Sequence, residues 1–520
     1  MSFDFDYIII GSGFGGSVSA LRLSEKGYRV LVIEKGKDFS NPGDFPKSNW
    51  NLRKWMWLPS FKFFGIQKLT FFRHISILSG VGVGGGSLVY ANTLPKPKSE
   101  FFRHGSWRKL DDWEESLAPF YDKAWQMLGA SENKKFTGAD LALKKLSENL
   151  GKSDSFSPTK VGVYFGKEGE TVEDPYHEGK GPTRTGCIFC GACMTGCRYG
   201  AKNTLDKNYL HLAQGLGAEI LPEKEVVNVV PLEEGEGGYE IVFKSSTKYF
   251  AKQESLKSRG VIFSGGVLGT LPLLLKLKET TLPKLSPRLG ESVRTNNEAL
   301  IINVTDKLNT DFSKGVAIGS ILEVDDDSHL EPVRYGSGSG FWRLLLVPMI
   351  SDPNFFRRMA KLIIEPFRNP IKWFKILTVR DFAKQSAVHL FMQHLDSSIK
   401  FKRSFFGMKS VVSRGENPSA FIPEAHKLAK DYSDIIDGKP MTLFTESITG
   451  IPSTAHILGG CCMGESALDG VIDKNNKVFN YDNMYVFDGS MISANPGVNP
   501  SLSITAITEY GLSKFKNKTS

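Results

Sequence analysis

The chain has 520 residues, 41% hydrophobic and 23% charged, with a formal net charge of +9. That length allows two or three domains with a sizeable core, and the even composition excludes a disordered chain or a disulfide scaffold. The basic excess favours anionic surfaces, but no nucleic-acid motif accompanies it, so no nucleic-acid partner is expected.

The run Tyr7-Ile8-Ile9-Ile10 reads as a buried strand. Gly11, Gly13 and Gly16 then satisfy G-x-G-x-x-G, with Phe14 and Gly15 inside the motif, and an apolar-periodic helix follows through Val18, Leu21 and Leu23. A second strand, Val30-Leu31-Val32-Ile33, ends at Glu34. Strand, glycine turn, helix, strand and terminal acid form the dinucleotide-binding pattern in its required context. Gly11 permits the tight turn, Gly13 lets backbone approach a pyrophosphate, and Gly16 lets helix and strand touch. The helix start offers unpaired N–H groups to phosphates. Glu34 is expected to accept from ribose hydroxyls and to repel a 2′-phosphate. The fingerprint starts at Tyr7, so no cleavable signal segment is expected before it. No run of eighteen apolar residues exists, so no spanning helix is expected either. A cytoplasmic or peripheral membrane location follows.

Residues 41–75 are aromatic and basic, with Trp50, Trp55, Trp57, Phe61, Phe63 and Phe64 among Arg and Lys. They read as a long excursion packed over the first domain, or as a lid or membrane-facing surface. Residues 80–92 match G-x-G-x-x-G a second time, but no strand leads cleanly into them and no ribose-binding acid follows. They suit backbone lying flat against a planar ligand instead. Residues 100–150 look helical. Strand patterns return at Glu225–Val230, Tyr239–Phe243 and Val261–Phe263, the last ending in a glycine turn.

Residues 341–380 form a second aromatic-basic stretch, readable as a membrane-interface segment or as a helical cap over a buried cavity. Residues 386–400 alternate like a strand, and His389 and His394 there read as structural. Near the C-terminus, Tyr485-Val486-Phe487 is a buried strand ending at Asp488-Gly489. A helix follows from about Leu502, for which Asn499 fits the N-cap and Pro500 the first turn. Its positive end suits a negatively charged cofactor ring.

The sequence resembles the glucose–methanol–choline (GMC) oxidoreductases, and within them the bacterial cholesterol-oxidase-like subgroup. The matching runs are Ile10–Ser17, Gly84-Gly-Gly-Ser-Leu-Val89, Ala201-Lys-Asn-Thr204, His456 with Leu458-Gly-Gly-Cys461, Asp488-Gly-Ser490 and Gly497-Val-Asn-Pro-Ser501. They fall in the family's order along nearly the whole chain. The resemblance implies an α/β (α+β overall) fold: an FAD-binding Rossmann-type domain built from discontinuous segments, and a substrate domain with a large, mainly antiparallel sheet covered by helices. The expected division is 1–40, 202–300 and 468–520 for FAD, 41–201 as a covering segment, and 301–467 for substrate. Cofactor contacts are expected at Gly11, Gly13, Phe14, Gly15, Gly16, Glu34, Gly85, Gly86, Ser87, Tyr90, Asn92, Val226, Asp488, Gly489, Asn499 and Pro500.

The family oxidises alcohols at a flavin with a histidine and an asparagine, which fall here on His456 and Asn499. Imidazole titrates near neutrality and can take the hydroxyl proton, while the carboxamide orients the oxygen. The expected substrate is a sterol or other lipid alcohol, with O₂ or another electron acceptor. Ile457 replaces the proline that follows the family histidine. Tyr90 stands where some cholesterol oxidases have asparagine, with Asn92 two residues on. No carboxylate base for steroid isomerisation is identified, so oxidation is better supported than coupled isomerisation. A dehydrogenase of another alcohol is the first rival reading. A flavin- or lipid-binding protein without turnover is the second.

Cys187, Cys190, Cys193 and Cys197 follow the C-x2-C-x2-C-x3-C spacing of an iron–sulfur run, with Arg198 where ferredoxins have proline. An iron–sulfur cluster, a structural zinc and reduced cysteines packing a loop are the open readings. Cys461 and Cys462 read as packing.

Overall fold

The computed structural model describes residues 3–232, 237–395, 397–405, 407–413 and 417–519. The first strand, Phe5–Ile10, pairs in parallel with Val30–Ile33 on one side and with Gln253–Phe263 on the other. Glu219–Leu221 extends the parallel set past Val30–Ile33. Met484–Val486 lies along the C-terminal end of Gln253–Phe263. The other end of that long strand pairs with the antiparallel hairpin Lys224–Pro231 and Tyr239–Ser245, completing a seven-stranded sheet. Ile8, Ile9, Leu31 and Val32 are buried on both faces of the sheet. That is why these strands read as unbroken apolar runs and not as alternating ones.

The helix Phe14–Glu25 packs beside the C-terminal helix Ser501–Ser513 and the short helix Tyr209–Gly215. Glu509 fastens them together. Arg22 donates to both of its oxygens at 2.8 and 2.7 Å, the Tyr209 hydroxyl donates at 2.8 Å, and Lys123 stands 3.1 Å away. Burial works against the Glu509 carboxylate, but Arg22 and Lys123 hold its pKa below the ordinary value. A carboxyl depressed in the folded state contributes stability above its unfolded pKa of about 4.3, and that contribution fades as pH falls through the folded value. Glu509→Leu leaves the largely buried Arg22 guanidinium with only the exposed Glu25, at 2.8 Å, and we expect a loss of about 3 kcal/mol at neutral pH. Urea unfolding at pH 7 and again below pH 4 checks this, because the gap between variant and parent should narrow in acid.

The second large sheet has seven strands, antiparallel throughout. Its centre is Ala299–Thr305, Ser386–Gln393 and Ser328–Val333. Side chains alternate as a period of two requires. Ile301, Ala387 and Phe391 face the helices Gly138–Asn149 and Pro423–Ile436. Leu300, Ile302, Val388 and Leu390 face a large cavity. The architecture is thus the mixed α/β fold expected, with a Rossmann-type sheet and a large antiparallel one.

Residues 99–149 hold three helices, Ser99–Arg103, Trp113–Met127 and Gly138–Asn149. One expectation is corrected. A strand, Ser76–Gly80, does lead into the second glycine run; it was missed because it is short and mixes serine with apolar residues. It pairs with Gln67–Phe71 and, in parallel, with Ser453–Thr454. Residues 341–380 are largely helical, as Phe355–Arg368 and Pro370–Leu377. Trp373 and Ile376 pack inward in one cluster with Trp342, Leu346 and Phe382, which wall the cavity. Phe356, Phe367, Ile371 and Phe374 point outward and are exposed. Among the described residues no helix is long and apolar enough to cross a membrane.

Candidate active site

A cavity of about 910 Å³ is walled by both large sheets and by the 67–93 segment. Gly11, Gly13, Phe14 and Gly15 form one part of its wall, with Glu34, Val226, Asp488 and Gly489 nearby on it. The helix Phe14–Glu25 begins here without a side-chain cap. A Cβ on Gly13 would meet only the Ser264 carbonyl oxygen, at 3.9 Å, so bare backbone faces the space. A long cavity, bare backbone and an uncapped helix start fit a dinucleotide with its pyrophosphate at the helix N-terminus. Glu34 accepts from Ser12 N at 3.1 Å, Ser12 Oγ at 2.8 Å and Gly36 N at 2.8 Å, which fixes its carboxylate at the end of the second strand. Asp488 accepts from Ser490 N at 2.7 Å, and its side chain also bonds Ser490 and Thr270. Burial pushes its carboxyl up despite these donors.

Gly85, Gly86 and Tyr90 also line the cavity, and the Tyr90 hydroxyl donates to Asn203 O at 3.0 Å. Gly16, Ser87 and Asn92 do not line it. Gly16 sits under the turn, against Gly11. Ser87 is spent on backbone, donating to Gly84 O at 2.7 Å and accepting from Leu205 N at 3.1 Å.

His456 and Asn499 meet on the apolar side. The strand pair Ser453–Thr454 with Ser76–Ile77 carries His456 in, and the start of the C-terminal helix carries Asn499. One end of the Asn499 carboxamide lies 3.4 Å from His456 Nε2, and the other lies 3.2 Å from both Glu331 oxygens. Burial pushes the Glu331 carboxyl up to about 8. When it holds its proton it can donate to Asn499 Oδ1; turned over, the carboxamide instead donates its NH₂ to both Glu331 oxygens. On its other side, His456 Nδ1 lies 3.1 Å from Glu298. The capping expectation for Asn499 is corrected. Pro500 occupies the N-cap position and the helix starts at Ser501, because the Asn499 side chain is committed to the cavity.

Neither Glu298 nor Glu331 was found from sequence. Glu331 did leave a trace: His329 and Glu331, two apart on a strand, put two polar groups on one face. Glu298 sits in an irregular Asn-Asn-Glu segment just before the strand Ala299–Thr305, which no spacing rule marks.

The cysteine run forms no ligand set. Among the described residues no group of three or more His, Cys, Asp or Glu could hold a metal ion. Cys187 and Cys197 belong to an apolar cluster with Val161, Val163 and Val316. Burial pushes up the thiols of Cys187, Cys190 and Cys193, the last to about 11. Held apart from any common ligand point, and with Cys187 and Cys197 among apolar neighbours, the cysteines pack a loop.

Two family models described as GMC oxidoreductase match residues 182–278 and 385–508, and one for an NAD(P)-binding Rossmann-like domain matches residues 9–41. A cholesterol oxidase of Acinetobacter baumannii is 43% identical over 99% of this chain and 95% of its own. The chain belongs to the GMC oxidoreductase family and is an FAD-dependent oxidoreductase acting on CH–OH donors. A cholesterol oxidase of Mycobacterium tuberculosis is 42% identical over 99% of this chain and 92% of that protein. A long-chain-alcohol oxidase of Arabidopsis thaliana, FAO3, is 24% identical over 98% of this chain and 67% of that one. The crystal structure of pyridoxine 4-oxidase from Mesorbium loti shares the fold, with a TM-score of 0.60 at 14% identity, covering 98% of this chain and 99% of that one.

Proposed function

We propose that this chain oxidises the secondary hydroxyl of a 3β-hydroxysterol or similar lipid alcohol and passes the electrons to O₂. FAD, when bound, supplies the hydride acceptor. The observation that carries the reading is the meeting of His456 and Asn499 at 3.4 Å on the wall of a cavity. Leu300, Ile302, Val388, Leu390 and Trp342 make the rest of that wall apolar. Such a wall holds a rigid hydrocarbon and leaves its one hydroxyl to seek polar partners. His456 Nε2 is placed to take the hydroxyl proton, and Asn499 to hold the oxygen while the carbinol hydrogen leaves as hydride. The helix Pro370–Leu377 backs that wall through Trp373 and Ile376, which helps keep water from the transfer. On the helices over residues 355–377, the exposed Phe356, Phe367 and Phe374 stand among Arg357, Arg368 and Lys375, which suits a lipid–water interface from which such an alcohol would be drawn.

The test is anaerobic mixing of the yellow holoprotein with cholesterol and with a panel of unrelated alcohols. Bleaching by the sterol and return of colour with hydrogen peroxide on admission of air are expected. Bleaching that air does not reverse would place the chain with dehydrogenases. No bleaching by any alcohol would leave flavin or lipid binding without turnover.

A further inference from the structure

Glu298 has no part in the reaction as described so far, yet it lines the cavity and is 3% exposed. It accepts from the Thr454 hydroxyl and from His456 Nδ1 on one oxygen, and from Ala455 N at 3.1 Å on the other. The Thr454 hydroxyl in turn accepts from His456 N at 2.9 Å. The three residues leading into the imidazole and the imidazole itself are therefore tied to one carboxylate. Burial opposes the charge, but His456, Thr454 and the Ala455 N–H hold the carboxyl below its ordinary pKa. A carboxylate can only accept, so the proton shared with the ring belongs to Nδ1.

We infer that Glu298 is a positioning residue that fixes the His456 tautomer, holding Nδ1–H so that Nε2 faces the substrate hydroxyl as a bare acceptor. The inference rests on the proposed role of His456. In the step it governs, the hydroxyl proton passes to Nε2 and the hydride leaves the carbinol carbon. The ring then carries a positive charge beside the Glu298 carboxylate, so no net charge is left buried in the pair.

The arrangement makes an unusual demand on substitutions. The Ala455 N–H is fixed backbone and requires an acceptor. In Glu298→Gln the amide oxygen must go there, which places the NH₂ group against Nδ1. That group donates, so the ring proton is driven to Nε2 and the base is blocked. Glu298→Ala removes three hydrogen bonds and leaves a void, but it leaves the tautomer free. A purely structural Glu298 predicts that Ala is the more damaging change. A tautomer-setting Glu298 predicts that Gln is.

The experiment is anaerobic stopped-flow reduction of the holoenzyme by cholesterol, with nitrogen-15 NMR of the histidine rings and His456→Gln to assign the signal. We expect Glu298→Gln to slow flavin reduction by about 10²–10⁴-fold, with substrate affinity little changed and FAD retained. We expect Glu298→Ala to be slowed less. The wild-type His456 ring should show protonated Nδ1 and unprotonated Nε2, and Glu298→Gln should reverse the pattern. A proton on Nε2 in the resting wild-type protein overturns the inference without recourse to any variant, as does Glu298→Ala being the slower enzyme. If His456→Gln reduces at the wild-type rate, the proposed function itself fails. If His456→Gln is slow while Glu298→Gln is not, only the role of Glu298 fails.

Discussion

Replacing His456 with glutamine is expected to slow anaerobic reduction of the bound flavin by about 10²–10⁴-fold while the protein stays yellow. The loss follows from position. His456 is held at Nδ1 by Glu298, and its Nε2 looks toward Asn499 across the mouth of the apolar wall. Glutamine keeps most of the volume and some hydrogen bonding but has no group that can take a proton near neutral pH. FAD should remain, because the dinucleotide part of the wall is built from the first strand, its glycine turn and Asp488, and none of these depends on the imidazole. Transient kinetics separate the two effects. A variant that reduces normally but loses colour would reverse the assignment and make His456 a cofactor anchor.

The second large effect is expected at Gly15. A Cβ there would lie 1.8 Å from the Phe487 carbonyl oxygen and 2.5 Å from its carbon. Both are backbone atoms, and that oxygen also accepts from Ser264 Oγ at 2.8 Å. No rotamer change relieves such a clash. Gly15→Ala must push the helix start away from the end of the Met484–Val486 strand, and overpacking of this kind costs about 3 kcal/mol or more. The purified protein should be pale, with a lowered melting temperature. Gly13→Ala is the matched control. Its Cβ meets only Ser264 O, at 3.9 Å, so it should fold, with FAD weakened by intrusion into the cavity. Equal stability of the two variants would show that the helix start has slack these contacts deny.

The sites that the sequence exposed share one property: their chemistry is local. The Gly11–Gly16 turn, its flanking strands and Glu34 lie within thirty residues of one another, and each demands a particular residue type at a particular spacing. Asp488 at a strand end is equally local. Asn499 read locally as a helix cap, and only the family resemblance pointed to a carboxamide that orients the substrate oxygen, since a cap and a cavity-facing amide leave the same sequence pattern. The cysteine spacing misled for the converse reason. Ligand spacing is necessary for a cluster, but only the fold decides whether the sulfurs converge on one point, and among the described residues they do not.

The sequence by itself determined that a dinucleotide turn opens this chain, because strand and helix periods and glycine turns are set by neighbours along the backbone; the antiparallel, helix-covered body was expected from the family resemblance and not from periodicity. Only the tertiary structure decided which carboxylates matter. Glu298 reaches His456 across 158 positions, and Glu331 reaches Asn499 from the middle of another strand. Their states follow from burial and from partners brought in by sheet pairing. One carboxyl is held ionised by an imidazole, a hydroxyl and a backbone N–H, and the other is pushed up because burial outweighs its hydrogen bond with Asn499. No pattern of residue types along the chain encodes that difference.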